Sequence, residues 1–252
     1  PDFSVPSLEA LHTAGHDIVR VITRPDKPRG RGRKLDAPPV KKAAIRLKRP
    51  VMQPPSLRDD KILQILSEAA ADFFVVVAFG HILTGTVLSM PRQGCINVHA
   101  SLLPRYRGPA PIHWAVINGE PESGVTTMMM DKGLDTGDIL MQAKEPVAPT
   151  DTAGALHDRL AKLGSSLICE TLDAFSEGTV RRISQEHSLA TYAPLLKKTD
   201  GLIDWRKPAD KIEPFIRGMN PWPGAFTYWR NRRLKIFRAE AARMSAESSP
   251  GT

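Results

Sequence analysis

The chain has 252 residues, 41% of them hydrophobic and 25% charged, which supports one large buried core and part of a second. That composition excludes disordered, collagen-like and coiled-coil chains, and the longest apolar run, FFVVVAF at 73–79, is far too short to cross a bilayer. Lys+Arg 35 against Asp+Glu 27 leaves a formal net charge of +8, which raises the odds of a polyanionic partner without deciding for one.

The first residues carry Val5, Leu8, Leu11 and Ala14 at helical spacing, and HDIVRVI at 16–22 follows as a short buried strand. No basic stretch followed by an apolar core opens the chain, which points to a cytoplasmic or organelle-matrix protein. The chain opens on Pro1 and closes on AESSPGT straight after a strand-like run; both ends look internal, and a strand is expected ahead of Pro1. Residues 24–39, RPDKPRGRGRKLDAPP, hold Gly, Pro and basic residues with almost nothing apolar, which predicts an exposed loop. An amphipathic helix is expected over 40–47 and a short strand over 51–53. Ser56 with Asp59 three residues later resembles a capping box, opening a helix that aligns Ile62, Leu66 and Ala69.

DFFVVVA at 72–78 is a β-branched and aromatic run, the pattern of a central parallel strand covered on both faces. Further strands are expected at 95–99, 124–130 and 139–143, a short helix at 110–118, and a long helix marked by Leu156, Leu160, Leu163 and Leu167 that ends before Gly178. The alternation predicts an open, doubly wound, Rossmann-like α/β domain over 1–178. A polar linker over 179–202 and a small β-rich domain from 203 onward, with a helix near 208–219 and strands in AFTYW and RLKIF, complete the reading. Cys95 and Cys169 lie far apart with no CxxC pair, so they read as buried apolar positions in a reducing compartment, and no metal site is expected.

The chemistry gathers at the carboxyl end of the strand that ends in Asn97-Val98-His99, the place where open α/β sheets hold ligands. Period-two alternation puts Asn97 and His99 on one face, and Asp135 comes from the glycine-bearing loop GLDTGD that links two more strands. An imidazole paired with a carboxylate can meet the oxyanion of a tetrahedral intermediate, and the amide adds a neutral donor, a set suited to acyl or formyl transfer to an amine. With no nucleophile elbow in the sequence, direct attack by the substrate amine is expected.

The stretch NVHASLLPRYRGPAPIHWAVINGE, followed by GVTTMMMDKGLDTGDIL, resembles the signature of the formyltransferases that use 10-formyltetrahydrofolate. RPDKPRGRGRKLDAPPVK and MNPWPGAF further resemble the inserted loop and the carboxyl-terminal domain of the methionyl-tRNA formyltransferases. That resemblance implies catalytic roles for Asn97, His99 and Asp135. It also implies folate contacts by Phe79, Gly80, His81, Ile82 and Leu83, by Ser101, Leu102, Leu103 and Pro104, and by Asp131 and Lys132. His81 reads as a surface histidine without a side-chain role. The implied co-substrate is 10-formyltetrahydrofolate with no metal, and the implied acceptor is initiator methionyl-tRNA, served by a monomer away from membranes. The resemblance makes the carboxyl-terminal domain a small OB-like β-barrel cut short.

Within residues 24–34, six cations stand against Asp26, interleaved with glycines that let the backbone follow a phosphate chain. Arg29, Arg31, Arg33 and Lys34 are the expected tRNA contacts, with Arg31 aligned to the family's principal loop arginine. A sugar-amine formyltransferase, a formyltetrahydrofolate hydrolase and a non-enzymatic RNA-binding protein are the alternatives; the basic loop and NPWP weigh against the first two, and the Asn, His, Asp set against the last.

Overall fold

A computed structural model describes residues 1–29 and 34–242. Helix α1 (Val5–Thr13) leads through an irregular stretch into strand β1 (Val21–Ile22), which pairs in parallel with β4 (Val51–Met52). The strand expected over 16–22 therefore forms only at its last two residues. Between β1 and β4 lies the stretch expected as a plain loop, and part of it is an antiparallel ribbon of β2 (Lys27–Arg29) and β3 (Lys34–Asp36). Helix α2 (Pro39–Arg46) follows, its Val40, Ala43 and Ala44 buried against Leu8 and Val21.

Helix α3 (Asp60–Glu68) is capped by Asp59, whose Oδ1 accepts from the Lys61 N–H at 3.0 Å, and not by Ser56 as the spacing suggested. Ser56 instead accepts from the Arg58 N–H, a local turn that leaves the first helical turn to the carboxylate. Strand β5 (Phe73–Val77) pairs in parallel with β6 (Gly94–His99), with short helix α4 (Gly85–Leu88) between them. Helix α5 (Pro111–Ile117) leads to β7 (Glu122–Met129) and β8 (Ile139–Pro146), and the sheet order is β5-β6-β7-β8. The β6–β7 and β7–β8 pairings are antiparallel, so the sheet is mixed. In this sheet β5 is an edge strand and only half-buried along its length, where the apolar run implied a central one.

Helix α6 (Ala153–Ser176) crosses this sheet, and its Leu156, Leu160, Leu167 and Ile168 close over Ile96, Val98 and Val125 to make the main core. Helix α7 (Ala209–Gly218) packs on α5, burying Ile216 and Met219 beside Ala110. A hairpin of β9 (Phe226–Trp229) and β10 (Arg232–Lys235) holds the last strands among the described residues. Hydrogen bonds also tie this last part to the first, among them one from the Arg217 guanidinium to the Asp151 carbonyl and one from the Gly154 N–H to that of Asn220. Among the described residues no helix is long and apolar enough to cross a membrane.

Candidate active site

Cys95, Ile96 and Val98 suit the covered backbone of β6, and its register sets Asn97 between Val76 and Met128 and His99 opposite Thr126. Alternation brings both side chains toward one acidic group. Asn97 Nδ2 lies 3.5 Å from Asp135 Oδ1, and His99 Nδ1 lies 3.7 Å from Asp135 Oδ2. His99 is 6% exposed, and its Nε2 donates to the Tyr106 carbonyl at 2.9 Å, which leaves Nδ1 as the ring nitrogen facing the carboxylate. Asp135 adopts φ +53, and its Oδ2 accepts the Gly108 N–H at 2.8 Å. Gly108 sits at φ +109, with no room for a Cβ between the Tyr192 ring and the Ala193 carbonyl, so the donor is aimed by a backbone only glycine adopts without strain.

The loop after β6 is strapped from several sides. Ser101 Oγ donates to the Arg105 carbonyl, Thr126 Oγ1 donates to the Ser101 carbonyl, and Gln142 Nε2 donates to the Leu103 carbonyl. The Tyr106 N–H donates to Thr191 Oγ1, and the backbone of Arg107 exchanges hydrogen bonds with Thr191 and Ala193. Tyr106 itself is buried; burial, with its hydrogen bond to Glu120 adding to it, raises its hydroxyl pKa. Ser101 and Leu103 are buried in this loop, while Leu102 and Pro104 are half-buried.

Phe79 to Leu83 follow β5 at the same end of the sheet. Gly80 turns at φ +68 and its carbonyl accepts from Arg24 Nη2 at 2.7 Å, joining this turn to the segment after β1. Ile82 is 90% exposed and His81 is exposed, with its ring against Phe79. Asp131 accepts from the Gly133 N–H and from Thr136 Oγ1, closing the loop that carries Asp135, whereas the neighbouring Lys132 is exposed beside Gly85.

A cavity of about 920 Å³ lies apart from this cluster, between β1 and β5. Val21, Thr23, Val75, Val77, Phe79 and Leu83 line it; Asn97, His99 and Asp135 do not. Cys95 is buried, and that burial pushes its thiol up to about 12, away from the thiolate form. No group of three or more His, Cys, Asp or Glu suited to a metal occurs among the described residues.

Of the four expected tRNA contacts, Arg31 and Arg33 lie outside the described residues, and the backbones of Arg29 and Lys34 pair across the β2–β3 ribbon. At the base of the ribbon Asp26 pairs with Lys41 at 2.8 Å and accepts from Gln53; these bonds hold its carboxyl below the usual carboxylate range. The structure adds groups to the site that the sequence did not single out: Tyr106, Thr191 and Gln185. Gln185 donates to the carbonyls of Asp135 and Gly137, and no local pattern marks it, since its partners lie about fifty residues away.

The model of the formyl transferase family matches residues 2–172, and that of its carboxyl-terminal domain matches residues 195–252. The methionyl-tRNA formyltransferase of Desulforamulus reducens is 51% identical over 253 residues, covering 100% of this chain and 80% of the relative. That of Pelotomaculum thermopropionicum is 53% identical over 239 residues, covering 95% and 76%. Among solved structures, the sugar 3N-formyltransferase WlaRD, determined with dTDP and 5-N-formyl-tetrahydrofolate, superposes with a TM-score of 0.70 at 22% identity, covering 94% of this chain and 81% of that one. An N-formyltransferase from Helicobacter canadensis, in complex with folinic acid and dTDP-3-aminofucose, gives 0.69 at 21% identity, covering 94% and 83%.

Proposed function

The chain belongs to the methionyl-tRNA formyltransferase family, and from that premise we propose that Asn97, His99 and Asp135 carry out its formyl transfer. The reaction places a formyl group on the amine of methionyl-tRNA, and a folate is its co-substrate. In the finer reading the donor is 10-formyltetrahydrofolate and the acceptor is the initiator tRNA. The observation that carries the assignment is the convergence of the Asn97 amide and the His99 Nδ1 on one carboxylate that also holds the Gly108 N–H.

The α-amine attacks the formyl carbon, and negative charge develops on its oxygen, where the second N–H of Asn97 stabilises it. The nitrogen that attacked must lose a proton. His99 Nδ1 takes it, in place of the oxyanion contact expected of the imidazole, because Nε2 is already given to the Tyr106 carbonyl and Asp135 stands beside Nδ1 to balance the imidazolium. Collapse of the intermediate breaks the bond from carbon to the folate nitrogen, which recovers the proton. The products are formyl-methionyl-tRNA and tetrahydrofolate, with no covalent enzyme intermediate.

Phe79 to Leu83, Ser101 to Pro104, and Asp131 with Lys132 form the proposed folate side, read through backbone groups near the strand ends. Arg29, Arg31, Arg33 and Lys34 form the proposed tRNA contact on the ribbon. The enzyme works as a monomer in the cytoplasm or an organelle matrix, its α/β domain spanning 1–178, joined by the linker at 179–202 to a carboxyl-terminal domain from 203. The sugar-amine reading of the site is weaker, since the solved sugar enzymes share the fold at about a fifth identity while the tRNA enzymes match at about half. Transfer of formyl from 10-formyltetrahydrofolate to charged initiator tRNA, compared with transfer to amino sugars, tests the reading; activity only on amino sugars would overturn it.

A further inference from the structure

The carboxylate of Asp135 is held by two loops, and one side chain outside both ties them together. Gln185 is 6% exposed, in the irregular stretch between α6 and α7. Its Nε2 donates to the Asp135 carbonyl at 3.0 Å and to the Gly137 carbonyl at 2.7 Å. Its Oε1 accepts from Arg107 twice, from Nε at 3.0 Å and from Nη2 at 2.6 Å. Arg107 immediately precedes Gly108, the residue whose N–H holds Asp135 Oδ2. Both donors and the acceptor of one buried amide are thus used, with none left for solvent.

Its neighbours make the same crossing. Ile183 and Ile139 exchange backbone hydrogen bonds at 2.8 and 2.9 Å, and Ser184 Oγ donates to Asp138 Oδ1 at 3.0 Å. Residues 183–185 therefore form a strap over the loop that carries Asp135. That loop needs holding: Asp135 is a non-glycine residue at φ +53, a conformation that persists only when the surroundings impose it. Gly137 is fixed from the other side, because a Cβ there would run into the Met129 carbonyl.

We propose that Gln185 is a positioning residue for the formyl transfer: it locks the Asp135 backbone against the Arg107–Gly108 turn, so that the carboxylate faces His99 Nδ1. This rests on the catalytic reading given above. Without the two donated hydrogen bonds the loop relaxes, and a displacement of about 1 Å at a reacting group is enough to cost on the order of 10²-fold in rate.

The test compares Gln185→Ala and Gln185→Glu with Asp135→Asn in the same chain, measuring kcat, KM for 10-formyltetrahydrofolate and the thermal midpoint. Gln185→Glu keeps the acceptor for Arg107 and removes the donor to the two carbonyls. Both Gln185 variants should lose about 10- to 100-fold in kcat with KM within about twofold. In the Asp135→Asn background, under single-turnover conditions, the further loss from Gln185→Ala should be less than about twofold. A wild-type kcat in Gln185→Glu, an undiminished loss in the Asp135→Asn background, or loss of the cooperative thermal transition in both Gln185 variants would overturn the proposal. Full turnover in Asp135→Asn alone would instead overturn the catalytic assignment beneath it.

Discussion

The strand-end cluster and the basic ribbon are both rich in polar side chains, yet they are built on opposite plans. Around Asp135 the side chains of His99, Tyr106, Thr126 and Gln185 are buried, and the backbones of two loops are tied by hydrogen bonds donated by Thr126, Gln142 and Gln185 or accepted by Thr191. Residues 24–36 expose Arg24, Lys27 and Pro28, and the ribbon is anchored at its base through Asp26, Lys41 and Gln53. A group that must meet charge developing on one atom is useful only if it is already in place. A group that meets a phosphate backbone gains from charge at any of several positions and gains little from being fixed. The comparison therefore predicts large, position-specific losses in the first region and small, salt-dependent ones in the second.

The largest effect is expected at the pair itself. His99→Ala and Asp135→Asn should each lower turnover by about 10²–10³, with substrate binding changed far less. The two losses should combine less than additively, because the carboxylate acts through the imidazole. Turnover near that of the parent in either folded variant would remove the cluster from the chemistry.

Next comes Gly108→Ala. The added methyl strains a backbone at φ +109 and meets Tyr192 and Ala193, so the N–H must swing away from Asp135 Oδ2. A loss of about tenfold in kcat is expected, and an unchanged kcat would mean that the amide donor is dispensable.

The same contrast extends to stability. Asp151 is 7% exposed and accepts from both Arg159 amino groups and the Ala148 N–H, whereas the Asp26–Lys41 pair is partly open to solvent. Hydrogen bonds from Arg159, chiefly, hold the Asp151 carboxyl below the ordinary carboxylate range. A depressed folded-state value means that the stabilisation is fully present above about pH 4 and fades as pH falls through the folded value. Asp151→Asn should cost about 1–2 kcal/mol at neutral pH, with the gap to the parent narrowing below about pH 4. Asp26→Asn should lower the midpoint of unfolding by less than Asp151→Asn does, because its partners are more open to solvent. Thermal melts of both variants from pH 3 to 7 check the pair of expectations, and a constant gap across that range would contradict the first.

What the sequence made legible follows the same division. Runs such as FFVVV and CINVH mark strands because their residue types suit covered backbone, and the leucine spacing of α6 marks its buried face. Strand direction is not written in such runs, so the antiparallel β6–β7 pairing was invisible. The ribbon of β2 and β3 escaped because its strands read Lys-Pro-Arg and Lys-Leu-Asp, mostly residues with little strand preference. Asn97, His99 and Asp135 were readable because alternation and a glycine-bearing loop place them. Tyr106, Thr191 and Gln185 were not, since each acts through a partner remote in sequence or through backbone geometry.

The smallest effect is expected on the ribbon. If residues 29–34 meet the acceptor arm of the tRNA, Arg31→Ala removes one phosphate contact among several and should weaken productive tRNA binding by about three- to tenfold. Folate affinity should not change, because the basic segment reaches the proposed folate turn through Arg24 Nη2 on the Gly80 carbonyl, a contact that Arg31→Ala leaves in place. The deficit should shrink as salt rises, since each lost contact lowers the number of counterions released and flattens the salt slope by roughly one. An arginine that is merely solvated predicts no change beyond about half a kcal/mol and an unaltered slope. Formylation efficiency of Arg31→Ala at two salt concentrations, with folate binding measured alongside, separates the two. An unaltered slope would leave the rigid cluster standing and take away the ribbon's part in choosing a tRNA over a small amine.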